Sequence, residues 1–215
     1  MKQKLLITIM LFILIFPLHT FAKENPYIVN INLWQGKLEI LKKGLVIESF
    51  PIASGKKDTP SPVGIYRVIS KDTGWGGGFG SCWLGLNVPW GTYGIHGTNR
   101  PELIGRRVSG GCFRMKNRNV EKVFAIIPVG TPVVIDGPIT GHKDINYRML
   151  VNGSRGSMVM FVQNHLKAMG IYKGAVDGVF GNELEKAVAT YQKLKNFEVT
   201  KQIGLKELKD LDMIE

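Results

Sequence analysis

The sequence contains few residues of the kinds that build metal or disulfide sites. Its 215 residues include only two cysteines, Cys82 and Cys112, and four histidines. Neither a C-x-x-C nor an H-x-x-x-H spacing occurs, so the common local zinc motifs are excluded. A site made of Cys82, His96 and Cys112 would still lack a fourth ligand. We therefore expect neither a metal ion nor another cofactor.

Long hydrophobic runs are also missing after residue 22. Residues 1–22 begin with two lysines, continue through an apolar stretch over residues 5–17 and end at the small residue Ala22. This layout is typical of a secretory signal peptide cleaved after Ala22. The stretch is shorter than the roughly 20 residues of a membrane-spanning helix, although a retained N-terminal anchor is the alternative. Both interpretations place the rest of the chain outside the cytoplasm.

Acidic residues are scarce, with 17 Asp and Glu against 28 Lys and Arg. Loss of Lys2 and Lys4 with the signal peptide leaves 26 basic residues and a formal charge of +9. In an exported protein this charge favours a polyanionic neighbour, such as wall polymers or anionic lipid, and argues against nucleic acid. Simple solubility of the surface is the alternative explanation. Nothing in the composition indicates an oligomeric state.

Residues 23–138 have the pattern of an all-β domain. Short alternating or β-rich runs are separated by turns that contain glycine and proline. The runs are YIVNINL, KLEILKK, LVIESFPIA, GIYRVIS, WLGLNV and TPVVID. They predict a β-sandwich or an irregular barrel, with one short helix over residues 119–127.

Residues 139–152 are polar and turn-rich, which predicts a linker, and residues 153–215 have helical spacing of apolar residues. Three helices are expected, and the second has Asn182 and Glu185 at the spacing of a capping box. Ser157 is the expected cap of the first. The apolar stripes are Val159, Val162, Leu166 and Met169; Leu184, Val188, Tyr191 and Leu194; and Leu205, Leu208 and Leu211. This small all-α domain should be separable from the β domain.

Cys112 and His96 are the candidate catalytic pair. A thiol attacks a carbonyl carbon only as the thiolate, so it needs a base. Of the four histidines, only His96 falls within the β domain. A disulfide between Cys82 and Cys112 is the competing interpretation, but it would consume the nucleophile. We therefore expect Cys82 to be unpaired.

Glycines surround both candidate residues. Gly110 and Gly111 precede Cys112, and a turn without Cβ atoms lets backbone N–H groups approach a developing oxyanion. Gly97 follows His96 and could orient the imidazole through its carbonyl. Gly111, Gly97 and Ser109 are accordingly the candidate oxyanion and orienting residues, with Ser109 as a hydrogen-bonding turn residue.

The run His96-Gly97-Thr98-Asn99, followed by residues 109–117 with the sequence SGGCFRMKN, resembles the signature of the L,D-transpeptidase catalytic domain, the YkuD family. The segment ASGKKDTPSPVGIYRV resembles the T-P-x-P-x-G stretch of that family, and WLGLNVPWGTYGIHG resembles its strand leading into the histidine. The likeness covers residues 27–136. It implies the family's β fold and a cysteine-dependent acyltransferase.

The C-terminal unit resembles the peptidoglycan-binding domain 1 pattern. The matching features are Gly153 and Gly156, the turn DGVFG at residues 177–181, and the segment AVATYQ at residues 187–192. The likeness is weak after Phe197. It implies a three-helix unit that binds cell-wall glycan.

The first resemblance implies acyl exchange on peptidoglycan stem peptides. Cys112 would attack a tetrapeptide donor, D-alanine would leave, and an acceptor amine would resolve the thioester into a 3→3 cross-link. Water as the acceptor would make the protein an L,D-carboxypeptidase, and the same chemistry could attach proteins to the wall. The acceptor cannot be deduced from the sequence.

The resemblance also implies substrate contacts by Arg114, Tyr93, Trp90 and Asn99. Arg114 would bind a carboxylate or brace the nucleophile loop, and the two aromatic residues would flank the cleft or belong to the core. Gly110 replaces a second histidine found in many relatives, so His96 acts alone. The glycine-rich segment 74–81 is expected to be a mobile loop beside the site.

Two other classes of protein fit less well. Sortase-type and papain-like enzymes also pair Cys with His, but sortases place the histidine much farther before the cysteine and the arginine farther after it. A non-catalytic wall-binding protein would have lost a site residue, and none is missing.

Overall fold

The computed structural model describes residues 25–139 and 147–214. The predicted signal peptide and half of the predicted linker, residues 140–146 with His142, lie outside the described residues. No helix in the described parts is long and apolar enough to cross a membrane.

The described part of the first unit contains ten strands, one α-helix and two single-turn 3₁₀ helices. The strands are β1 (Tyr27–Asn32), β2 (Lys37–Lys42), β3 (Leu45–Pro51), β4 (Ser54–Gly55), β5 (Gly64–Thr73), β6 (Cys82–Leu86), β7 (Tyr93–His96), β8 (Arg107–Ser109), β9 (Phe113–Arg114) and β10 (Pro132–Asp136). The helix α1 (Asn117–Ile126) follows β9 and begins two residues earlier than the sequence predicted.

Eight strands form one curled sheet in the order β3-β2-β1-β10-β5-β6-β7-β9, and β4 pairs with β8 in a second, two-stranded sheet. Most neighbours are antiparallel, but β1 with β10, β7 with β9 and β4 with β8 are parallel. The predicted all-β fold class is confirmed.

Alternation of side chains buries one face of these strands. Val29 and Ile31 of β1 and Leu38 and Ile40 of β2 are fully buried, while their sequence neighbours are at least partly exposed. This period of two is the pattern of strands with one face on a core. Val120 of α1 belongs to the same core, so α1 covers part of the sheet.

The second unit contains the helices α2 (Ser157–Ala168), α3 (Asn182–Leu194) and α4 (Leu205–Asp210). The predicted three-helix unit is confirmed. The last member of the first two predicted stripes is exposed, since Met169 lies beyond the end of α2 and Leu194 is the final residue of α3. In the third stripe the first residue, Leu205, is exposed.

The predicted caps are wrong. Gly156 and Gly181 occupy the N-cap positions, so Ser157 and Asn182 are the first residues of their helices. The Asn152 amide donates to both Asn182 Oδ1 and Glu185 Oε2, which takes both oxygens away from the predicted capping box.

The packed part of the helical unit begins before Gly153. Leu150 is buried with the helices and exchanges backbone hydrogen bonds with Ile203. Tyr147 packs against the same cluster. Residues from Tyr147 onward therefore belong to the helical unit in space, although the sequence analysis placed residues up to 152 in the linker.

The two units pack against each other. Ser157 Oγ accepts a 3.0 Å hydrogen bond from the N–H of Val63. Met160 and Val179 of the helical unit pack on the core of the β domain. Gly178 lies against the ring of Trp90. This interface was not anticipated by the expectation of separable units, because no local sequence signal encodes a contact between distant surfaces.

Replacing Gly178 with alanine tests this interface. Gly178 has a φ of +68°, and an added Cβ would overlap the Trp90 ring. We expect Gly178→Ala to lose about 1–2 kcal/mol of unfolding free energy from the backbone conformation and about 1–3 kcal/mol more from overpacking. Urea denaturation measures the sum.

Gly153→Ala is the matched control for this change. Gly153 also has a positive φ, +92°, but no atom lies within 4 Å of its added Cβ. It should show only the backbone penalty. Equal losses in the two variants would contradict the contact between Gly178 and Trp90.

Candidate active site

A tight turn between β8 and β9 presents Cys112. Gly111 has a φ of +122°, in the left-handed region that favours glycine. Ser109 Oγ accepts the N–H of Gly111 at 3.0 Å and donates to the carbonyl of Cys112 at 2.7 Å. Ser109 is buried, so its hydroxyl fixes the turn from within.

A second set of hydrogen bonds holds the same turn from outside. Thr59 Oγ1 donates to the carbonyl of Ser109 at 3.0 Å, and Ser61 Oγ donates to the carbonyl of Gly111 at 2.8 Å. Ser61 Oγ also accepts the N–H of Gly55 at 2.9 Å. The sequence analysis did not assign these roles to Thr59 and Ser61, although both lie in the quoted T-P-x-P-x-G stretch.

The register of two parallel strands brings the candidate pair to one face. Ile95 pairs with Phe113 and His96 pairs with Arg114. Because side chains alternate, Ile95 and Phe113 point into the core, where both are fully buried. His96 and Arg114 then share the opposite face, and Cys112, two residues before Arg114, lies beside Gly94. Cys112 directly precedes β9, so this register brings it next to the strand that ends at His96.

An aromatic stack encloses His96. Trp83 stacks on the imidazole, with the two ring centres 5.6 Å apart. Trp75 stacks in turn on Trp83, with their ring centres 4.8 Å apart. Phe79 also contacts the imidazole, at 5.0 Å. Trp75 and Phe79 come from the glycine-rich segment 74–81, which lies beside the site as predicted. Its predicted mobility stays a prediction.

One ring nitrogen of His96 is held by the backbone. Nδ1 lies 2.6 Å from the carbonyl of Gly97. A carbonyl can only accept, so Nδ1 carries the hydrogen and Nε2 keeps its lone pair. The imidazole is thereby oriented, and the nitrogen able to take a proton is Nε2.

Burial lowers the pKa of His96, and the positive charge of Arg114 lowers that pKa further. The carbonyls of Gly97 and Phe79 oppose these effects, but the net change is downward. At neutral pH the imidazole is therefore uncharged, which is the form that can act as a base.

Burial also raises the pKa of the Cys112 thiol above its ordinary value. A backbone hydrogen bond from Gly94 and the charge of Arg114 act in the opposite direction without overcoming burial. The resting site therefore contains a neutral thiol and a neutral imidazole. It needs proton transfer at the moment of attack, because it does not hold a preformed ion pair.

Arg114 influences both groups electrostatically. Its backbone exchanges two 2.9 Å hydrogen bonds with Ala53, which fixes the chain on either side of the guanidinium. Its Nε is buried and has no hydrogen-bond partner among the described residues. A buried donor without a partner is costly, and a substrate oxygen would satisfy it.

The other predicted substrate residues lie in different surroundings. Tyr93 packs over Gly111, where an added Cβ would lie 2.6 Å from the Tyr93 ring. Trp90 is only 8% exposed and makes edge contacts with Tyr66 and Tyr93, so it is chiefly a packing residue. Asn99 is exposed on the loop after His96.

Gly111 is less suited to the oxyanion role than the sequence indicated. Its N–H already donates to Ser109 Oγ, so that hydrogen bond would have to break before the N–H could bind an oxyanion. Gly97 offers its carbonyl to His96 instead of an N–H to substrate.

Cys82 and Trp83 point to opposite sides of β6. Cys82 belongs to the core of the β domain, whereas Trp83 stacks on His96. Both cysteines are unpaired in the structure. No group of three or more His, Cys, Asp or Glu side chains suited to a metal ion occurs among residues 25–139 and 147–214.

Asn117 joins the loops on both sides of the imidazole, and the sequence analysis gave it no role. Its Oδ1 accepts the N–H of Thr98 at 3.1 Å and that of Ser81 at 3.4 Å. An added Cβ on Gly80 or Gly97 would overlap this Oδ1. The position of Asn117 at the end of the quoted SGGCFRMKN run was the available signal.

Ser61→Ala tests the bracing of the nucleophile turn. The change leaves the N–H of Gly55 and the carbonyl of Gly111 without their buried partner, which should cost about 1–3 kcal/mol of unfolding free energy. We also expect slower alkylation of Cys112 by iodoacetamide, since the turn loses one of its supports. Ser49→Ala, at an exposed position of β3, should change neither quantity. Wild-type behaviour of Ser61→Ala would contradict the bracing role.

The pH dependence of Cys112 alkylation tests the resting protonation state. Because the pKa of the thiol is raised, the rate should increase through a midpoint above that of an ordinary cysteine. Arg114→Gln removes a charge that lowers this pKa, so the midpoint should move to higher pH. The rate at pH 8 should then fall about tenfold for each unit of the move.

Arg118→Gln, an exposed arginine in α1, is the control for that experiment and should leave the midpoint unchanged. The Cys112→Ala protein gives the background from Cys82. A midpoint below pH 7 in the wild type would instead indicate a preformed thiolate.

Comparison with known proteins follows the division into two units. Residues 26–135 match the family model of the L,D-transpeptidase catalytic domain, and residues 155–210 match a model described as "Putative peptidoglycan binding domain". The Bacillus subtilis protein named "Putative L,D-transpeptidase YkuD" is 40% identical over 111 residues, which cover 52% of this chain and 66% of that protein. The chain thus spans slightly less than two thirds of that relative.

Two further matches involve the same unit. The Bacillus subtilis protein named "Putative L,D-transpeptidase YqjB" is 34% identical over 137 residues, covering 56% of this chain and 77% of that protein. The solution structure of the catalytic domain from the E. faecium L,D-transpeptidase has 24% identity and a TM-score of 0.46, covering 54% of this chain and all of that one. The family model spans just over half of the chain, and the chain therefore belongs to the L,D-transpeptidase catalytic-domain family.

Proposed function

We propose that the protein is an exported L,D-transpeptidase that forms 3→3 cross-links in peptidoglycan through a thioester on Cys112. The main supporting observation is the parallel register of β7 and β9, in which His96 pairs with Arg114, two residues after Cys112. Membership of the family supports a transpeptidase. The second family match supports action at the cell wall.

The first half of the reaction cleaves the donor stem. His96 Nε2 takes the proton of the Cys112 thiol as sulfur attacks the carbonyl carbon of the third residue of a tetrapeptide. The resulting imidazolium then gives that proton to the nitrogen of the terminal D-alanine as the C–N bond breaks. D-alanine leaves, and a thioester remains on the enzyme.

The second half regenerates the thiol. The side-chain amine of an acceptor stem attacks the thioester carbonyl, and His96 removes a proton from the attacking nitrogen. The C–S bond breaks, and the proton returns to sulfur. The new amide replaces the cleaved one, so no ATP is required. Water in place of the amine would yield the tripeptide of a carboxypeptidase.

Arg114 has two roles in this scheme. Its charge favours the thiolate, as the direction of its effect on the pKa of Cys112 indicates. Its Nε has no hydrogen-bond partner among the described residues and is buried, so it would donate to a substrate oxygen only after the side chain moves. Both effects are stronger in a water-excluded site, and the rings of Trp83 and Phe79 pack against the imidazole, which is buried.

Removal of either reacting group should abolish cross-linking. Cys112→Ala lacks the nucleophile, and His96→Ala lacks the base, whose loss alone typically lowers rates by about 10² to 10⁴. The measurement is mass spectrometry of muropeptides after incubation of wall material with the protein lacking residues 1–22. Released D-alanine and dimers joined 3→3 are the expected products.

Cys82→Ala is the matched cysteine control. Cys82 packs in the core away from His96, so the variant should keep its cross-linking activity. Substantial turnover by Cys112→Ala would rule out the thioester route. Tripeptide without dimers from the wild type would identify the carboxypeptidase instead.

A further inference from the structure

A cleft of about 400 Å³ lies where the helical unit meets the β domain. Tyr93 and Gly110 line one side near the nucleophile turn, and Pro60 lies beside them. Arg148 and Arg155 line the side formed by the helical unit. Cys112 and His96 are not among the described lining residues, so the cleft adjoins the nucleophile turn without containing the reacting pair.

The cleft is structurally continuous with the turn that carries Cys112. Gly110 lies two residues before the nucleophile, and Tyr93 packs over Gly111. Thr59 and Ser61 also line the cleft, and their hydroxyls donate to the carbonyls of the nucleophile turn. A molecule bound in the cleft would therefore contact the segment that fixes the position of the thiol.

The charge of the cleft selects the kind of ligand. Five cationic side chains are found among its described lining residues, together with a single acidic one, Asp58. The cations are Lys56, Lys57, Arg107, Arg148 and Arg155. Asp58 forms a 2.7 Å ion pair with Arg148 across the two units, so the acid is already compensated. The positive charge of Lys56, Lys57 and Arg155 is in addition to that pair, and it favours an anion.

The lining also contains apolar surface, contributed by Pro60, Tyr93 and Met158. A stem peptide combines alanine methyl groups with free carboxylates, which suits this mixture. A polyphosphate chain carries charge without comparable apolar groups. A carboxylate-bearing peptide therefore matches the cleft better than a wall phosphate polymer does.

We propose that the cleft between the units binds the carboxylate-bearing part of a peptidoglycan stem peptide. The helical unit then forms one side of the substrate site, in addition to binding the cell wall. The identity of the ligand rests on the proposed function. The existence of an anion-binding cleft next to the nucleophile turn does not.

Binding to an inactive protein tests the proposal apart from turnover. The full chain lacking residues 1–22 and carrying Cys112→Ala is titrated with a soluble tetrapeptide stem, and with the same peptide converted to its amides, by isothermal calorimetry. Arg155→Glu, in the helical unit, and Lys57→Glu, in the β domain, are each added to that background. We expect each to weaken binding of the acidic peptide about tenfold. The amidated peptide should bind weakly and show no difference between the variants.

Lys193→Glu is the control, because it makes the same charge change in the helical unit at an exposed residue outside the cleft. It should alter the affinity less than twofold. Unchanged affinity in both cleft variants would overturn the proposal, as would equal binding of the acidic and amidated peptides. Preferential binding of poly(glycerol phosphate) would overturn it in favour of a wall-polymer site.

The same variants separate this proposal from the proposed function. If the wild type binds the acidic peptide in the cleft but forms no cross-links, the proposed reaction fails and the cleft stands. If it forms cross-links and both cleft variants bind the peptide normally, the cleft assignment fails and the reaction stands.

Discussion

The short parallel pairing between β7 and β9 is the constraint on which the site depends. Two register pairs, Ile95 with Phe113 and His96 with Arg114, determine which side chains face the core and which lie on the opposite face with His96. A shift of one residue would place the imidazole in the core and Ile95 at the surface. So short a ladder cannot hold this register unaided. Its position is secured by the buried side chains of Ile95 and Phe113 and by the hydrogen bonds from Ser61 and Thr59 to the adjoining turn.

Desolvation determines the electrostatic character of this face. Burial favours the neutral form of both the Cys112 thiol and the His96 imidazole. Arg114 lowers the pKa of both groups, which has opposite effects on how easily each becomes charged. Its charge makes the thiolate easier to form and the imidazolium harder to form. The site thus keeps a base that is free to accept a proton beside a thiol that is still protonated. The thiol becomes a nucleophile only when its proton is removed, because the thiolate is the reactive species.

Much of the fold could be predicted from the sequence because the signals are local. Alternation identified the longer strands, and helical spacing identified α2 and α3 with most of their buried residues. The shortest elements, β4, β8 and β9, contain two or three residues each, too few for a period to be recognised. They form because distant segments pair with them, and these are the elements that surround the nucleophile.

The candidate pair could likewise be named from chemistry, whereas its supports could not. Cys112 and His96 stand out because their side chains are rare and reactive. Ser61, Thr59 and Asn117 act through ordinary hydrogen bonds to backbone groups that are remote in the chain, and polar residues in turns are common. The same reasoning explains the incorrect capping box, since a third residue, Asn152, competes for both of its oxygens. Trp83 could not be assigned to a face of β6 until the register was known.

Under the proposed function, the packing of Ser157, Met160 and Gly178 against the β domain has a consequence for which stems the protein can reach. A binding module on a flexible tether raises the effective concentration of its ligand by an amount set by the length of the tether. Here the module is docked directly on the catalytic unit, so the span from any ligand on the helices to the Cys112 sulfur is set by the interface. Lengthening the connection around residues 140–146 would then leave that span nearly unchanged. The protein would then act on stems at one fixed distance from the ligand that its helical unit binds. A tethered module would instead allow it to reach every stem within the length of the tether.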